Sequence, residues 1–215
     1  MSNKILWVDP DRDKEDEPLM PWDEDQGNPT IIVHPAIRFK AEEPIKDVWF
    51  VYIDGSSHIL NDKYEQHKGR VFGAYGLVAY EGLEPECIYE ESKANEGWKT
   101  GKTELLGLYR ALCWHCDYKY DSIVKIVSDA LYVVNGYNSY LVGWVFNGWK
   151  KADGETIEHV ELWKQIWEIK KNDFDMLINV CHTKGHQGDV RNEAVHNLAL
   201  NTMREYRDQE LGGFV

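Results

Sequence analysis

From Val48 the chain runs Val48-Trp49-Phe50-Val51-Tyr52-Ile53 without a polar residue and stops at Asp54-Gly55-Ser56. A continuous run of β-branched and aromatic residues predicts a strand buried on both faces, with Asp54 at its mouth. A polar loop over 57–70 follows, then a second apolar run from Val71 to Tyr80, a turn at Glu81-Gly82 and a third short strand at Cys87-Ile88-Tyr89. Short turns between these three predict antiparallel pairing. From Thr103 the period lengthens. Leu105, Leu108, Tyr109, Leu112 and Cys116 recur at helical spacing, with Thr103 as the expected cap and Glu104 in the first turn. Ser122–Ser128 reads as a strand ending at Asp129. A short helix over Leu131–Tyr140, a Trp-rich segment through Trp144 and Trp149, and a helix marked by Val160, Trp163, Ile166, Trp167 and Lys170 come next. Met176–Cys181 is the last predicted strand, and Glu193–Arg207 the closing helix, with Val195, Leu198, Ala199 and Met203 inward.

Long helical crossovers between the later strands make those parallel to the first. The expected fold class is therefore α/β: a mixed five-stranded sheet, three antiparallel strands plus two parallel, flanked by helices. Ligands of such sheets gather beyond the carboxyl ends of the parallel strands, where Asp54 and Asp129 both fall.

The chain has 215 residues, enough for one domain plus an extension. Residues 1–47 hold six of the seven prolines and 12 acidic against 6 basic side chains. They read as an acidic, proline-rich extension, 48–207 as the domain and 208–215 as a tail. The net charge of −13 does not suggest an ordinary polyanion binder. Neither a secretory leader nor a membrane-length apolar run is present in the sequence given, and the four cysteines read as free thiols, so the expectation is a cytoplasmic monomer without membrane association.

Asp54 before Gly55 also reads as a plain turn start, Asp129 as a helix cap, Glu104 as a first-turn acid favoured by the helix dipole, and His196 as a surface residue. Together they read differently. Two strand-end carboxylates side by side repel, and a shared divalent cation removes the conflict. Hard oxygen ligands with room for water suit Mg²⁺ or Mn²⁺.

The text itself is more specific. Ile53-Asp54-Gly55-Ser56, Gly73-Ala74-Tyr75-Gly76, Thr103-Glu104-Leu105-Leu106, Ser128-Asp129-Ala130-Leu131-Tyr132-Val133, Asn147-Gly148-Trp149-Lys150-Lys151-Ala152-Asp153, His159-Val160-Glu161-Leu162-Trp163, Thr183-Lys184-Gly185-His186-Gln187-Gly188 and Asn192-Glu193 occur in that order. From about Trp49 to Met203 the chain resembles a type 1 ribonuclease H. The resemblance implies a ribonuclease H-like fold and an endonuclease that cuts the RNA strand of an RNA–DNA hybrid, using two metal ions about 4 Å apart. Cleavage would leave a 5′-phosphate and a 3′-hydroxyl. Asp54 would bridge both ions, Glu104 and Asp129 would complete the leaving-group site, and His186 would assist proton transfer or product release. Gly55, Ser56, Thr100, Thr103, Trp149, Lys150, Lys151 and Asn192 are the expected substrate contacts.

The sequence departs from the family at one ligand. The family's fourth carboxylate is an aspartate four residues after the Asn of the Asn-Glu pair, and here that residue is His196. A neutral imidazole removes one negative charge and tilts affinity from Mg²⁺ toward Mn²⁺ and later metals. The expectation is that His196 still ligates the nucleophile-side ion; the rival is a weakened or silent domain that binds hybrids or proteins. A third reading is a nuclease of the same fold acting on another nucleic acid. Thr100-Gly101-Lys102-Thr103 replaces the family's Asn residues that read 2′-hydroxyls, which predicts weak, salt-dependent hybrid binding and leaves room for an accessory nucleic-acid-binding partner.

Other motifs carry less. Gly101-Lys102-Thr103 lacks the earlier glycine of a phosphate-binding loop, since Glu96 stands in its place. Cys113-Trp114-His115-Cys116 falls on a predicted helix and reads as core packing, and Cys181-His182 with His186 is a poor zinc set.

Overall fold

The computed structural model describes residues 47–119, 121–172, 177–185 and 189–212. The proposed extension, Asp47 excepted, and His186 lie outside the described residues.

The opening apolar run is strand β1 (Val48–Ile59). Its odd positions Trp49, Val51 and Ile53 enter the larger core cluster, while Tyr52, with Phe50 packed beside it, belongs to a second cluster on the opposite face. Alternation in a strand then dictates that Asp54 shares the face of Phe50 and Tyr52. β1 does not stop at Asp54, as the sequence suggested. It pairs with β2 (Val71–Glu81) as far as Ile59↔Val71. The antiparallel partner holds the polar residues Ser56, Ser57 and His58 extended. On the other side, parallel pairing with β4 (Ile123–Ser128) ends at Tyr52↔Val127. Asp54 therefore does stand beyond the parallel half of the sheet, although its own strand continues.

β3 (Tyr89–Glu96) pairs antiparallel with β2, and β5 (Ile178–His182) runs parallel to β4, giving the order β3-β2-β1-β4-β5. The mixed five-stranded sheet is as expected. β3 lies later than predicted, because the register with β2 begins at Ala79↔Tyr89. β5 extends one residue past Cys181, through Ser128↔His182.

Helix α1 (Thr100–Tyr118) buries Leu105, Leu108, Ala111 and Leu112 on one face of the sheet. It starts before Thr103, which is no cap: its hydroxyl donates to the Thr100 carbonyl at 2.8 Å from inside the helix. Glu104 consequently lies beyond the first turn. Cys116 is exposed rather than core; near the helix end the buried residues are Trp114 and His115. After β4 come α2 (Leu131–Asn135), a π-helical turn (Gly136–Tyr140) and α3 (Leu141–Phe146), a longer helical stretch than predicted. α4 (Val160–Lys170) matches its pattern.

Helix α5 (Val190–Glu210) covers the other face of the sheet through Val195 and Leu198. It begins earlier than expected because Asp189 caps it, accepting from the Arg191 and Asn192 amides at 3.1 and 3.4 Å. It also runs past Arg207, and Leu211 packs with Leu60, Phe72 and Met203, so part of the supposed tail belongs to the domain. Among the described residues no helix is long and apolar enough to cross a membrane.

Candidate active site

Two helices approach the sheet closely because glycines face them. A Cβ built on Gly55 would lie 2.5 Å from the Glu104 amide nitrogen and 2.8 Å from its Cγ. Without that side chain, α1 rests directly on β1, and Glu104 is seated over the residue that follows Asp54. On the opposite face, a Cβ on Gly76 would lie 2.9 Å from the Val195 carbonyl oxygen. That approach lays α5 across β1 and β2 and brings His196 to Asp54.

Asp54 is 5 % exposed. Its Oδ1 accepts from the Gly55 amide at 2.6 Å, and its Oδ2 lies 2.8 Å from His196 Nδ1. Burial raises the Asp54 pKa, the hydrogen bond from His196 opposes that, and the charge of Asp129 adds to it. Glu104 is pushed up to about 7, first by burial and then by the charges of Asp54 and Asp129. The two strand-end acids and the helix acid therefore share one electrostatic environment.

Asp129 is held at the end of β4 by its neighbours. The Ser128 carbonyl accepts from the Thr183 amide at 3.0 Å, and Ser128 Oγ accepts from the Ala130 amide at 3.1 Å. Ala130, not Asp129, occupies the cap position of α2, so the Asp129 carboxylate is not spent on a helix end. Gly185 passes so close that a Cβ there would lie 2.7 Å from Asp129 Oδ2.

The other expected contacts divide. Thr100 is exposed, and its hydroxyl hydrogen-bonds Ser57 at 2.7 Å. Ser56 is half-buried on β1. Lys150 and Lys151 are exposed, with their carbonyls accepting from Asn147 Nδ2 at 3.1 and 3.3 Å. Thr103 is fully buried and spent on helix packing, which removes it from a substrate surface. Asn192 is 3 % exposed, likewise inside, and its Oδ1 has no hydrogen-bond partner among the described residues. Trp149 packs against the main core at a left-handed φ of 65°.

Three neighbours of these residues had no role at the site assigned from the sequence. Ser57 was placed in a loop. Gly185 was noted only as part of a motif. His159, at a φ of 55°, sets its Nε2 3.8 Å from a Cβ built on Gly101, in the first turn of α1.

Residues 46–204 match the family model for RNase H. A ribonuclease H of Maricaulis maris is 32% identical over 139 residues, covering 64% of this chain and 87% of the relative. Among solved structures, the solution structure of the prototype foamy virus RNase H domain is similar with a TM-score of 0.59 at 21% identity, covering 74% of this chain and 94% of that one. The foamy viral protease–reverse transcriptase in complex with an RNA/DNA hybrid is similar with a TM-score of 0.58 at 18% identity, covering 83% of this chain and 24% of that one.

Proposed function

The chain belongs to the ribonuclease H family, and from that premise we propose that it hydrolyses the RNA strand of RNA–DNA hybrids with two divalent cations, Mg²⁺ or Mn²⁺, leaving a 5′-phosphate and a 3′-hydroxyl. The observation that carries this reading is the convergence at Asp54. A buried carboxylate, a second acid on α1 raised to about 7 by burial and then by the charges of Asp54 and Asp129, and a third acid at the end of β4 meet at one end of the sheet.

That donor set fits a divalent cation. Burial, and after it the charges of Asp54 and Asp129, hold the Glu104 pKa at about 7, and a cation among the three carboxylates would relieve that conflict. Asp54, Glu104 and Asp129 would hold the ions, with His196 as the fourth ligand. When bound, the ions lower the pKa of the attacking water and stabilise the leaving oxygen. The chain's own share is positional. β1 fixes Asp54, the bare backbone of Gly55 seats Glu104, and the Ser128–Thr183 bond sets Asp129. Ser57 and Thr100, linked hydroxyl to hydroxyl beside the start of α1, offer donors to a sugar–phosphate strand. His186 keeps the role of proton transfer or product release that its motif implies.

One observation favours a second reading. His196 stands where the family has an aspartate, and a neutral ligand leaves one charge fewer to hold the ions. A weakened domain that binds hybrid without cutting it is the resulting rival. A cleavage assay on hybrid, duplex RNA, duplex DNA and single-stranded RNA, with Mg²⁺ and with Mn²⁺, separates the two. We expect cutting of the hybrid alone, with the RNA strand broken internally. Asp54→Asn should reduce it on the order of 10³-fold, matching the several kcal/mol a metal centre supplies. Hybrid binding without cleavage under both metals selects the rival.

A further inference from the structure

Asp54 Oδ2 and His196 Nδ1 are 2.8 Å apart. Adjacent ligands on an octahedral ion with bonds of about 2.1 Å lie about 3.0 Å apart. The contact thus holds an oxygen and a nitrogen at nearly the separation that one ion imposes on two neighbouring donors. An ion held by both atoms would replace the hydrogen between them, with the neutral imidazole keeping its single proton on Nε2 and Asp54 remaining a carboxylate. Access is open on one side: the Asp54 side chain is 6% exposed but that of His196 is 35%. Glu104 and Asp129, by contrast, offer only carboxylate oxygen.

Resting on the nuclease reading above, we propose that His196 makes the two ion positions chemically unequal. The position beside Asp54 and His196 selects a divalent metal that accepts nitrogen, Mn²⁺ or a later transition ion. The position beside Glu104 and Asp129 is all oxygen and accepts Mg²⁺. The reason is the ligand preference of the ions: imidazole suits transition metals, whereas Mg²⁺ keeps oxygen and water around itself. A chain of this kind works as a mixed-metal enzyme where both ions are present.

The test needs no nucleic acid. The full chain is stripped of metal and titrated with Mn²⁺ alone, and pulsed electron paramagnetic resonance is read for ¹⁴N modulation of the bound Mn²⁺. Mg²⁺ is then added in increasing excess. We expect nitrogen modulation in the wild type and its loss in His196→Asp while Mn²⁺ remains bound. The Mg²⁺ excess needed to expel the nitrogen-bound Mn²⁺ should exceed that for His196→Asp by about tenfold or more, the low end of what changes around a metal ligand cost. His196→Gln keeps a neutral donor beside Asp54 but no ring nitrogen, so it reports the ligand if the aspartate variant folds poorly. Bound Mn²⁺ without nitrogen modulation, equal Mg²⁺ competition in wild type and His196→Asp, or no Mn²⁺ binding overturns the proposal. A chain that shows the modulation yet cuts no hybrid loses the nuclease reading instead, so the two failures are distinguishable.

Discussion

Gly185 and Gly55 are both bare for the sake of an acid, yet replacing them should have different consequences. A methyl group at Gly185 would meet Asp129 Oδ2, the free end of a side chain that can turn aside. We expect Gly185→Ala to change stability by no more than about 0.5 kcal/mol while weakening Mn²⁺ binding about tenfold, read by thermal melting and calorimetry on the same sample. At Gly55 the methyl would meet the Glu104 backbone, and no rotamer relieves it. Gly55→Ala must lift the start of α1 from β1 and should cost about 1–3 kcal/mol as well as the activity. Glu104 itself makes a pH prediction. Its folded pKa, about 7, lies above the ordinary 4.5. Below 4.5 both folded and unfolded chains carry the proton, and between 4.5 and 7 the folded chain alone does. The stability this contributes is therefore complete at the acid end and is lost as pH rises through 7. Urea midpoints in chelator should show the decline between pH 5 and 8, and Glu104→Gln should flatten it. A midpoint that climbs over that range because of Glu104 would contradict the crowding.

One carboxylate on the edge strand β3 gathers three partners from β2, β3 and α1. Glu91 accepts from Tyr75 of β2 at 2.6 Å, from Tyr89 at 2.8 Å and from Arg110 of α1 at 2.7 and 3.0 Å. Burial alone would raise its pKa, but the bonds from Arg110, Tyr75 and Tyr89 outweigh that and hold it to about 2. Its contribution is present above the ordinary carboxylate range and lost as pH falls through about 2. Glu91→Gln should cost about 2 kcal/mol at neutral pH and shift the acid-unfolding transition upward; an unchanged midpoint would mean the Glu91 network adds nothing to the stability of the strand. None of this network is visible in the string Tyr89-Glu90-Glu91, which reads as a charged surface. The elements themselves were largely legible, because each buries a periodic apolar set: Trp49, Val51 and Ile53 for β1, Leu105, Leu108 and Leu112 for α1. Their ends were not. β1 continues through Ser56, Ser57 and His58 because β2 pairs with them, and α5 starts at Val190 because of a cap three residues before Asn192. At the site, Asp54, Glu104, Asp129 and His196 were named from sequence. The Asp54–His196 bond and the Gly185 approach were not, since they are distances between residues far apart in the chain. Thr103 and Asn192 were read as contacts from their places in the motifs that carry the resemblance, whereas both are buried.

At the scale of the molecule, an enzyme of net charge −13 is asked to hold a polyanion. The two effects of charge act at different ranges. Overall repulsion is felt at a distance and is screened beyond about 8 Å at physiological salt, so it governs the rate of encounter. Contacts between exposed lysines and phosphates form only on arrival, so their loss falls mainly on the rate of departure, as most interface changes do. Raising salt should therefore leave association nearly flat or quicken it, the opposite of a basic nuclease, while dissociation accelerates. Lys150 and Lys151 are the pair to remove: both are exposed, and Asn147 pins the backbone that carries them. With Asp54→Asn as the non-cutting background, hybrid affinity should fall on the order of 10²-fold between 50 and 200 mM salt if about four phosphates are neutralised. Replacing both lysines with alanine should lower the log–log slope by about 2 and act on dissociation. Stopped-flow binding at four salt concentrations measures both rates. If association slowed steeply with salt, local basic groups would be steering the hybrid despite the acidic whole. If the slope survived loss of both lysines, the handle would not touch the phosphates, and the contact would have to be sought beside α1, where Lys99 and Lys102 lie next to Thr100.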